Sequence, residues 1–379
     1  MDFDLSDEQR ALAATVRDFL ADRFDLDAVR RVVEDPEGDG HPLDLWKSIG
    51  EQGWLAVLVP EAHDGLGLGL LDAQVIARAF GAGVVPGPWL QTLLVGEALR
   101  LAGSPEQQAS WLPRLAAGEV VGTLDCGTEL TVTDGAVSGS LSPVEYAAVA
   151  DVLVVRGPGG DLLLVDPRGP GVTVTPLENY DGTTRLARVV LAGARGERLA
   201  ESSPQVVHSL TQRGAVLAAA DLAGTAREAL RRTVAYDKER VQFGRPVGSF
   251  QALKHAMADL HVAVTMAEHA ALFSAYALDA GLPDAELGVS VAKAKASDTA
   301  KDATRAMIQF HGGIGYTWEH EAHFFFKRAK RVAASWGDAA THRERVARLV
   351  VDGGGSRPEA EPGTTVGVAA ASNAGLAAG

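Results

Sequence analysis

The first hundred residues carry apolar positions at helical spacing. Leu12, Val16 and Leu20 recur every four residues, which places them on one face of an α-helix. Ser6 precedes this run and Gln9 stands three residues after Ser6, the pattern of a capping box at a helix N-terminus. The chain therefore predicts a helix that begins directly after Ser6.

The same start signal recurs at Ser104 and Gln107, where Pro105 occupies the first helical position and loses no hydrogen bond there. Apolar spacing predicts further helices in two intervening segments, 43–49 and 71–80. Residues 1–121 are thus predicted to form an N-terminal helical domain.

Short apolar runs replace the helical pattern after about Gly122. They are bounded by Gly, Pro and Asp, and they span residues 152–155, 162–165, 172–175 and 186–191. Runs of this length and spacing are typical of β-strands. We therefore predict a reduced middle β-domain over residues 122–202.

An alanine-rich helical pattern returns at Ser203. Three long segments are followed by a shorter pair that ends near residue 351; the long segments span about 204–236, 250–280 and 285–311. Alanine lets helices pack closely, so we predict a C-terminal helical bundle over residues 203–352. The remaining residues, 353–379, lack periodicity and are predicted to be a disordered tail. The fold class is mostly α with a middle β-domain.

Composition narrows the class of protein. The net charge of −14 over 379 residues argues against non-specific binding to nucleic acid or to an anionic membrane. No apolar run reaches the length of a membrane span. The single cysteine, Cys126, excludes an internal disulfide, and we predict a small buried residue there, not a nucleophile. These features favour a cytoplasmic protein.

The stretch from Arg240 to Gln251 predicts a helix corner. We expect the preceding helix to end at Gly244 as a left-handed cap, and Ser249 to cap the next helix. Such a corner exposes Arg240 and Phe243 beside a new helix N-terminus. A guanidinium and free N–H groups can together hold a pyrophosphate, although most helix corners bind nothing.

A second motif, Gln309 to Gly315, ends the third long helix with the glycines Gly312, Gly313 and Gly315. Glycines allow a ligand to approach the backbone closely. A glycine-rich turn alone is weak evidence of a site, and an ordinary helix terminus is the simpler interpretation.

Together the two motifs resemble those of the acyl-CoA dehydrogenase family. The resemblance implies an N-terminal helical domain, a small β-barrel-like domain and a C-terminal four-helix bundle, in the order predicted above. In that family the bundle motifs grip the adenosine pyrophosphate of an FAD that is bound mainly by the neighbouring subunit. The resemblance implies this role, across a dimer interface, for Arg240, Phe243, Phe250, Gln251, Gln309, Gly312, Gly313 and Gly315. It also implies an acyl-CoA thioester substrate.

The base of the family reaction has no evident counterpart. The family removes an α-proton with a positioned carboxylate while a hydride goes to the flavin. The resemblance places the usual glutamate at Trp336, and the position used by another branch of the family at Gly214. Asp338 lies nearby as a weak candidate; it could instead cap the helix that starts near Ala339. No metal site is predicted.

The middle domain also departs from the family pattern. Of the segments that wrap the flavin ring in relatives, Thr128 and Glu129 keep a fragment of the first, and 138–146 replaces the second. A chain without these walls is predicted to hold its own flavin ring weakly.

The base and the flavin-ring segments are missing, and both belong to one half of a composite site. This pattern resembles that of the auxiliary chains of heteromeric acyl-CoA dehydrogenases, known from actinobacterial sterol side-chain degradation. This implies a heterotetramer in which a second acyl-CoA dehydrogenase chain supplies the glutamate and the flavin pocket, with an electron-transfer flavoprotein or similar acceptor. Two alternatives stay open: a self-sufficient, homo-oligomeric dehydrogenase with an unrecognised base, and a redox-inactive scaffold of the same fold.

Three lysines and one arginine outside the two motifs are not predicted to be site residues on the sequence alone. Lys293, Lys295 and Lys301 share one predicted helix and are expected to face water. Arg185 could make a turn contact or touch a ligand, and the sequence does not decide between these roles.

Overall fold

The computed structural model describes residues 4–352. The N-terminal part is helical, and both capping boxes are present at the predicted starts. Its helices are α1 (Asp7–Arg23), α2 (Leu26–Val33), α3 (Leu43–Glu51), α4 (Leu70–Gly83), α5 (Trp89–Ala102) and α6 (Pro105–Ala116). The predicted disordered tail, 353–379, lies outside the described residues.

A curled sheet follows, as predicted from the short apolar runs. Its strands are β1 (Gly122–Glu129), β2 (Thr131–Thr133), β3 (Ala136–Glu145), β4 (Val152–Arg156), β5 (Leu162–Val165), β6 (Val172–Leu177) and β7 (Leu186–Arg198). They pair in the order β1-β4-β5-β7-β3-β2, with β6 also on β7. Strands β1 and β4 are parallel and the other pairs antiparallel. Leu141, Val189 and Leu191 lie in a separate hydrophobic core under this sheet.

The C-terminal part is a helical bundle. It contains α7 (Pro204–Glu239), α8 (Gln251–Asp279), α9 (Ala285–Phe310), α10 (Ala322–Ala334) and α11 (Ala339–Ala347), and it ends in a π-helical turn (Arg348–Asp352). Helix α7 packs tightly on α4: a Cβ built at Gly224 would lie 1.9 Å from the Arg78 carbonyl oxygen. This close approach therefore requires glycine, and it joins the bundle to the N-terminal helices.

The corner after α7 differs from its prediction. Helix α7 ends at Glu239, before a small hairpin of β8 (Val241–Gln242) and β9 (Arg245–Pro246). Phe243 and Gly244 both have positive φ, 54° and 78°. Two consecutive left-handed residues form the turn that best matches the twist of a hairpin. The prediction that Gly244 caps the helix was therefore wrong.

Ser249 is also not the cap of α8. Phe250 occupies that position without a side-chain capping bond, and the Ser249 hydroxyl is buried without a hydrogen-bond partner in the described structure. A short 3₁₀ turn, Val247–Ser249, shifts the start of α8 by one residue.

No helix within residues 4–352 is both long and apolar enough to cross a bilayer.

Candidate functional site

The two positions at which the family resemblance would place a base lie against each other. A Cβ built at Gly214, on α7, would lie 2.4 Å from Cδ2 and 2.5 Å from Cε3 of the Trp336 indole. Trp336 belongs to the turn after α10, with a positive φ of 57°. The indole therefore fills the space where a side chain at residue 214 would begin.

Asp338 has the capping role that was its alternative interpretation. Its side chain accepts a hydrogen bond of 2.8 Å from the Thr341 backbone N–H at the start of α11. Hydrogen bonds from the Thr341 backbone N–H and side chain hold the pKa of this exposed carboxyl below its usual value. An oxygen of Asp338 is thus already engaged, and the side chain faces solvent.

A buried carboxylate near Gly214 is neutralised by arginine. Glu97 on α5 is 3% exposed, and Arg100 donates to it at 2.6 and 2.9 Å. Arg213 Nε lies 2.9 Å from Glu97 Oε2, close enough for an ion pair although its N–H is not aligned for a hydrogen bond. Arg100 and Arg213 therefore engage both oxygens of this carboxylate.

Helix α10 carries two further arginine clusters. Arg328 Nε donates to Asp221 at 3.1 Å, and Arg328 also binds the Val85 carbonyl oxygen at 3.0 Å. These groups line a small cavity of about 50 Å³ between the N-terminal helices, the sheet and the bundle.

Arg331 connects the same helix to the sheet region. It donates to Asp181 at 2.7 Å and to Glu145 at 2.8 Å. Burial would raise the pKa of Asp181, but the Arg331 charge and hydrogen bonds from Thr183 bring it below its usual value. The carboxylates of Asp221, Asp181 and Glu145 are therefore each paired with an arginine of α10.

The predicted FAD-gripping corner is an exposed cluster of cations and aromatic rings. Phe243, at the hairpin tip, is 91% exposed, and its ring meets Phe250 edge-on at 6.1 Å. The Arg245 guanidinium lies 4.1 Å from the Phe250 ring centre. Arg240 is exposed. Gln251 is exposed too, and its amide contacts His255. Arg245 was not predicted as a site residue from the sequence, although Arg245 directly follows the motif glycine Gly244.

The second motif lies at the same end of the bundle. The Tyr236 ring stacks on His311 at 4.3 Å, and the Tyr236 hydroxyl donates to the His311 carbonyl oxygen at 3.3 Å. Tyr236 precedes Arg240 by one turn of α7, and His311 directly precedes Gly312. This contact therefore brings the two predicted FAD motifs together.

The glycines of the second motif differ in surroundings. Gly312 and Gly313 are exposed, and no atom lies within 4 Å of a Cβ built on either. Gln309 is exposed beside them. Gly315 is buried, and a Cβ there would lie 2.5 Å from the Ile308 carbonyl oxygen. Gly315 thus shapes the turn while Gly312 and Gly313 offer open backbone.

The fragment of the flavin-ring segment makes bonds within the chain. The Asp125 carboxylate accepts hydrogen bonds from the Gly127 and Thr128 backbone N–H groups, both at 3.0 Å. Glu129 pairs with Arg156 at 3.0 Å. Tyr146, in the stretch that replaces the second segment, is buried and accepts from Gly87 N–H at 2.7 Å. These groups are occupied by internal partners.

The expectation that Lys293 faces water was wrong. Lys293 is fully buried on α9, and burial lowers its pKa to about 7 while Asp338 opposes that shift. The surrounding α9 positions are small, and a pattern of alanine and serine does not mark the buried face of a helix. Cys126 is buried, as predicted. Arg185 makes turn contacts, because it donates to the Gly38 and Gly182 carbonyl oxygens.

Comparison with known proteins places both helical parts in one family. Residues 6–119 match the model of the acyl-CoA dehydrogenase N-terminal domain, and residues 205–351 match that of the C-terminal domain. The chain is 34% identical to the acyl-CoA dehydrogenase IpdE2 of Mycobacterium tuberculosis, over 85% of this chain and 91% of the relative. It is also 34% identical to IpdE2 of Mycolicibacterium smegmatis, over 91% and 98% of the two chains.

Two solved structures have the same fold as this chain. The ChsE4-ChsE5 complex from Mycobacterium tuberculosis has a chain that superimposes with a TM-score of 0.84 at 25% identity, covering 92% of this chain and 98% of that one. A variant of the Tcur3481-Tcur3483 steroid ACAD gives 0.83 at 26% identity, covering 91% and 98%.

Proposed function

The chain belongs to the acyl-CoA dehydrogenase family, and we propose that it is the auxiliary subunit of an FAD-dependent enzyme that forms an α,β double bond in an acyl-CoA thioester. The proposal rests on Trp336 and Gly214: neither of these two base positions has a carboxylate, and the Trp336 indole fills the space beside Gly214. A catalytic partner chain then supplies the base and the main flavin pocket. Bound FAD would accept the hydride in that partner.

The arginine pairs argue against a relocated base. A base must hold a free lone pair within hydrogen-bond reach of the α-proton. Glu97, Asp221 and Asp181 are each engaged by arginine side chains, and a guanidinium stabilises the ionised form that must be protonated during the reaction. This favours an auxiliary chain over a self-sufficient dehydrogenase.

The unpaired carboxylate Asp237 is in the wrong place for a base. It is 1% exposed, and neither oxygen has a partner in the described structure. Burial raises its pKa to about 6, yet it lies near the far end of α7 from Gly214, roughly 34 Å away at 1.5 Å of rise per residue.

The donated half of an FAD site fits this chain. The Arg240 guanidinium makes no ion pair with any residue in 4–352, so its donors are free for a phosphate. Arg245, Gln309 and the open backbone at Gly312–Gly313 lie at the same end of the bundle. Cations beside glycines that no other atom crowds suit a pyrophosphate. The Gly312 N–H itself donates to the Gln309 carbonyl oxygen within the turn. A redox-inactive scaffold would have no physical need for this arrangement.

The half that would wrap the flavin ring fits less well. The Gly127 and Thr128 amides donate to Asp125 and cannot donate to a ligand at the same time. We therefore infer that the ring lies in the partner chain and that this chain holds only the adenosine end.

Exposed apolar side chains support assembly with a partner. Near the two motifs, Phe243 and Tyr316 are 91% and 88% exposed, and Trp318 is 53% exposed. Exposed aromatic side chains are enriched at protein interfaces. Two structural neighbours consist of paired chains, ChsE4-ChsE5 and Tcur3481-Tcur3483. A heterotetramer with a sterol-derived acyl-CoA substrate is our specific proposal; the electron acceptor stays a prediction.

Co-expression tests the proposal. The chain is purified alone and together with a second acyl-CoA dehydrogenase chain that carries the glutamate, and FAD absorbance per chain is measured before and after an acyl-CoA is added. We expect little FAD on the chain alone and stoichiometric, bleachable FAD in the complex. One tightly bound FAD per isolated chain that bleaches with acyl-CoA would overturn the auxiliary role and favour the self-sufficient alternative.

A further inference from the structure

A fully buried lysine lies beside the turn that carries Trp336. Lys293 Nζ donates to Ser297 Oγ at 3.2 Å, to the Ala333 carbonyl oxygen at 3.1 Å and to the Gly337 carbonyl oxygen at 2.9 Å. An ammonium has three N–H donors, so the set of acceptors is complete. The two carbonyl groups lie on either side of Trp336 in the chain.

The backbone between those carbonyl groups needs such support. Trp336 and Gly337 have φ values of 57° and 88°. The left-handed region is unfavourable for a bulky side chain and persists only where the surroundings hold it. His342 on α11 contributes from the other side, with Nε2 at 2.9 Å from the Trp336 carbonyl oxygen. Among residues 4–352, Lys293 is the side chain that bonds both the end of α10 and the residue after Trp336.

We propose that Lys293 is a positioning residue, whose ammonium holds the turn of residues 335–337 so that the Trp336 indole stays packed on Gly214. The indole thereby keeps this chain's own acyl site closed. This last consequence rests on the proposed function, whereas the position of the indole does not.

Fluorine NMR of the full chain labelled with 5-fluorotryptophan tests the proposal. The chain has six tryptophans, and Trp336→Phe identifies the Trp336 resonance by its loss. In Lys293→Met we expect the Trp336 resonance to shift or broaden while the other five keep their positions. The matched control is Lys295→Met, two residues away on α9, which should leave all six unchanged. A merely structural loss would instead disturb several resonances together.

A folded Lys293→Met chain with an unchanged Trp336 resonance would overturn the proposal. If that variant does not fold, Lys293→Leu also removes every N–H donor and gives the same test, and an unchanged Trp336 resonance there would overturn it equally. Because the spectrum reports on this chain, the result is independent of whether a partner restores FAD binding. A failure of co-expression and a failure of this test are thus distinguishable.

Discussion

The indole of Trp336 lies on the backbone of Gly214, so that a Cβ at residue 214 would be 2.4 Å from Cδ2 of the ring. Residues that are distant in sequence thus share one volume. Because of that contact, the effect on stability of a substitution at Gly214 should change sign with the residue at position 336.

Gly214→Ala should destabilise the chain by about 1–3 kcal/mol, because the added methyl group forces the indole out of its position. In a Trp336→Ala background the same change should stabilise by about 0.5–1 kcal/mol, because alanine is the better helix former. Urea unfolding of the four chains of this double-mutant cycle measures the coupling. Equal effects in both backgrounds would contradict the contact.

Arg240→Ala should speed FAD release from the complex roughly 10- to 100-fold, the loss of a charge-assisted hydrogen bond of about 1.5–3 kcal/mol. Flavin fluorescence after dilution measures the rate. Arg305→Ala is the matched control, because Arg305 is exposed on α9 and pairs only with Asp302 among the described residues. An unchanged release rate for Arg240→Ala would remove Arg240 from the site.

Asp338→Asn should leave turnover by the complex unchanged, because asparagine also caps helices well while it lacks a carboxylate. Asp338→Ala should lower the melting temperature, because the hydrogen bond to the Thr341 N–H is lost. Turnover and thermal melts of both variants separate the two roles. If Asp338→Asn abolishes turnover at unchanged stability, Asp338 is the base after all.

Arg331→Met should destabilise the chain by about 3–5 kcal/mol, because it leaves Asp181 and Glu145 as buried carboxylates without their cation. Arg343→Met, which breaks an exposed pair with Asp298, should change stability by less than about 1 kcal/mol. Urea unfolding at pH 7 compares the two variants, and equal losses would contradict the buried role of Arg331.

The same ion pair makes stability depend on acid. The pKa of Asp181 is lowered in the folded chain, so the unfolded state binds its proton first as the pH falls. The stabilisation that the Asp181–Arg331 pair provides is therefore present above the pKa of an aspartate in the unfolded chain, about 3.9. It is lost as the pH falls below that value and through the lower pKa of Asp181 in the folded chain. Stability measured from pH 6 to pH 3 should fall less steeply in Arg331→Met than in the wild type.

Cys126 should not react with iodoacetamide at pH 8 in the folded chain, because burial raises its pKa to about 12 and the thiolate is the nucleophile. In urea the thiol should react at the rate of a free cysteine. Mass spectrometry of the alkylated chain checks this, and rapid labelling without denaturant would show that the thiol is accessible.

Local signals in the sequence predicted the elements well. The capping boxes at Ser6 and Ser104 identified two helix starts, since capping depends on neighbours within a few residues. The apolar runs identified β4, β5, β6 and β7, whereas β1, β2 and β3 were not predicted individually. The corner after Arg240 was predicted less well. A helix cap and a hairpin turn both favour glycine at residue 244, and only the pairing of β8 with β9 distinguishes them.

The sequence by itself determined the order of helices and strands, the family, and the absence of a carboxylate at residues 214 and 336, because each of these depends on local pattern or residue identity. Only the tertiary structure decided that Trp336 fills the space beside Gly214 and that Lys293, on α9, is buried against the end of α10. Only the fold, likewise, showed that arginines neutralise Glu97, Asp181 and Asp221. Those facts depend on contacts between residues far apart in the chain, and no local periodicity reports which surfaces meet.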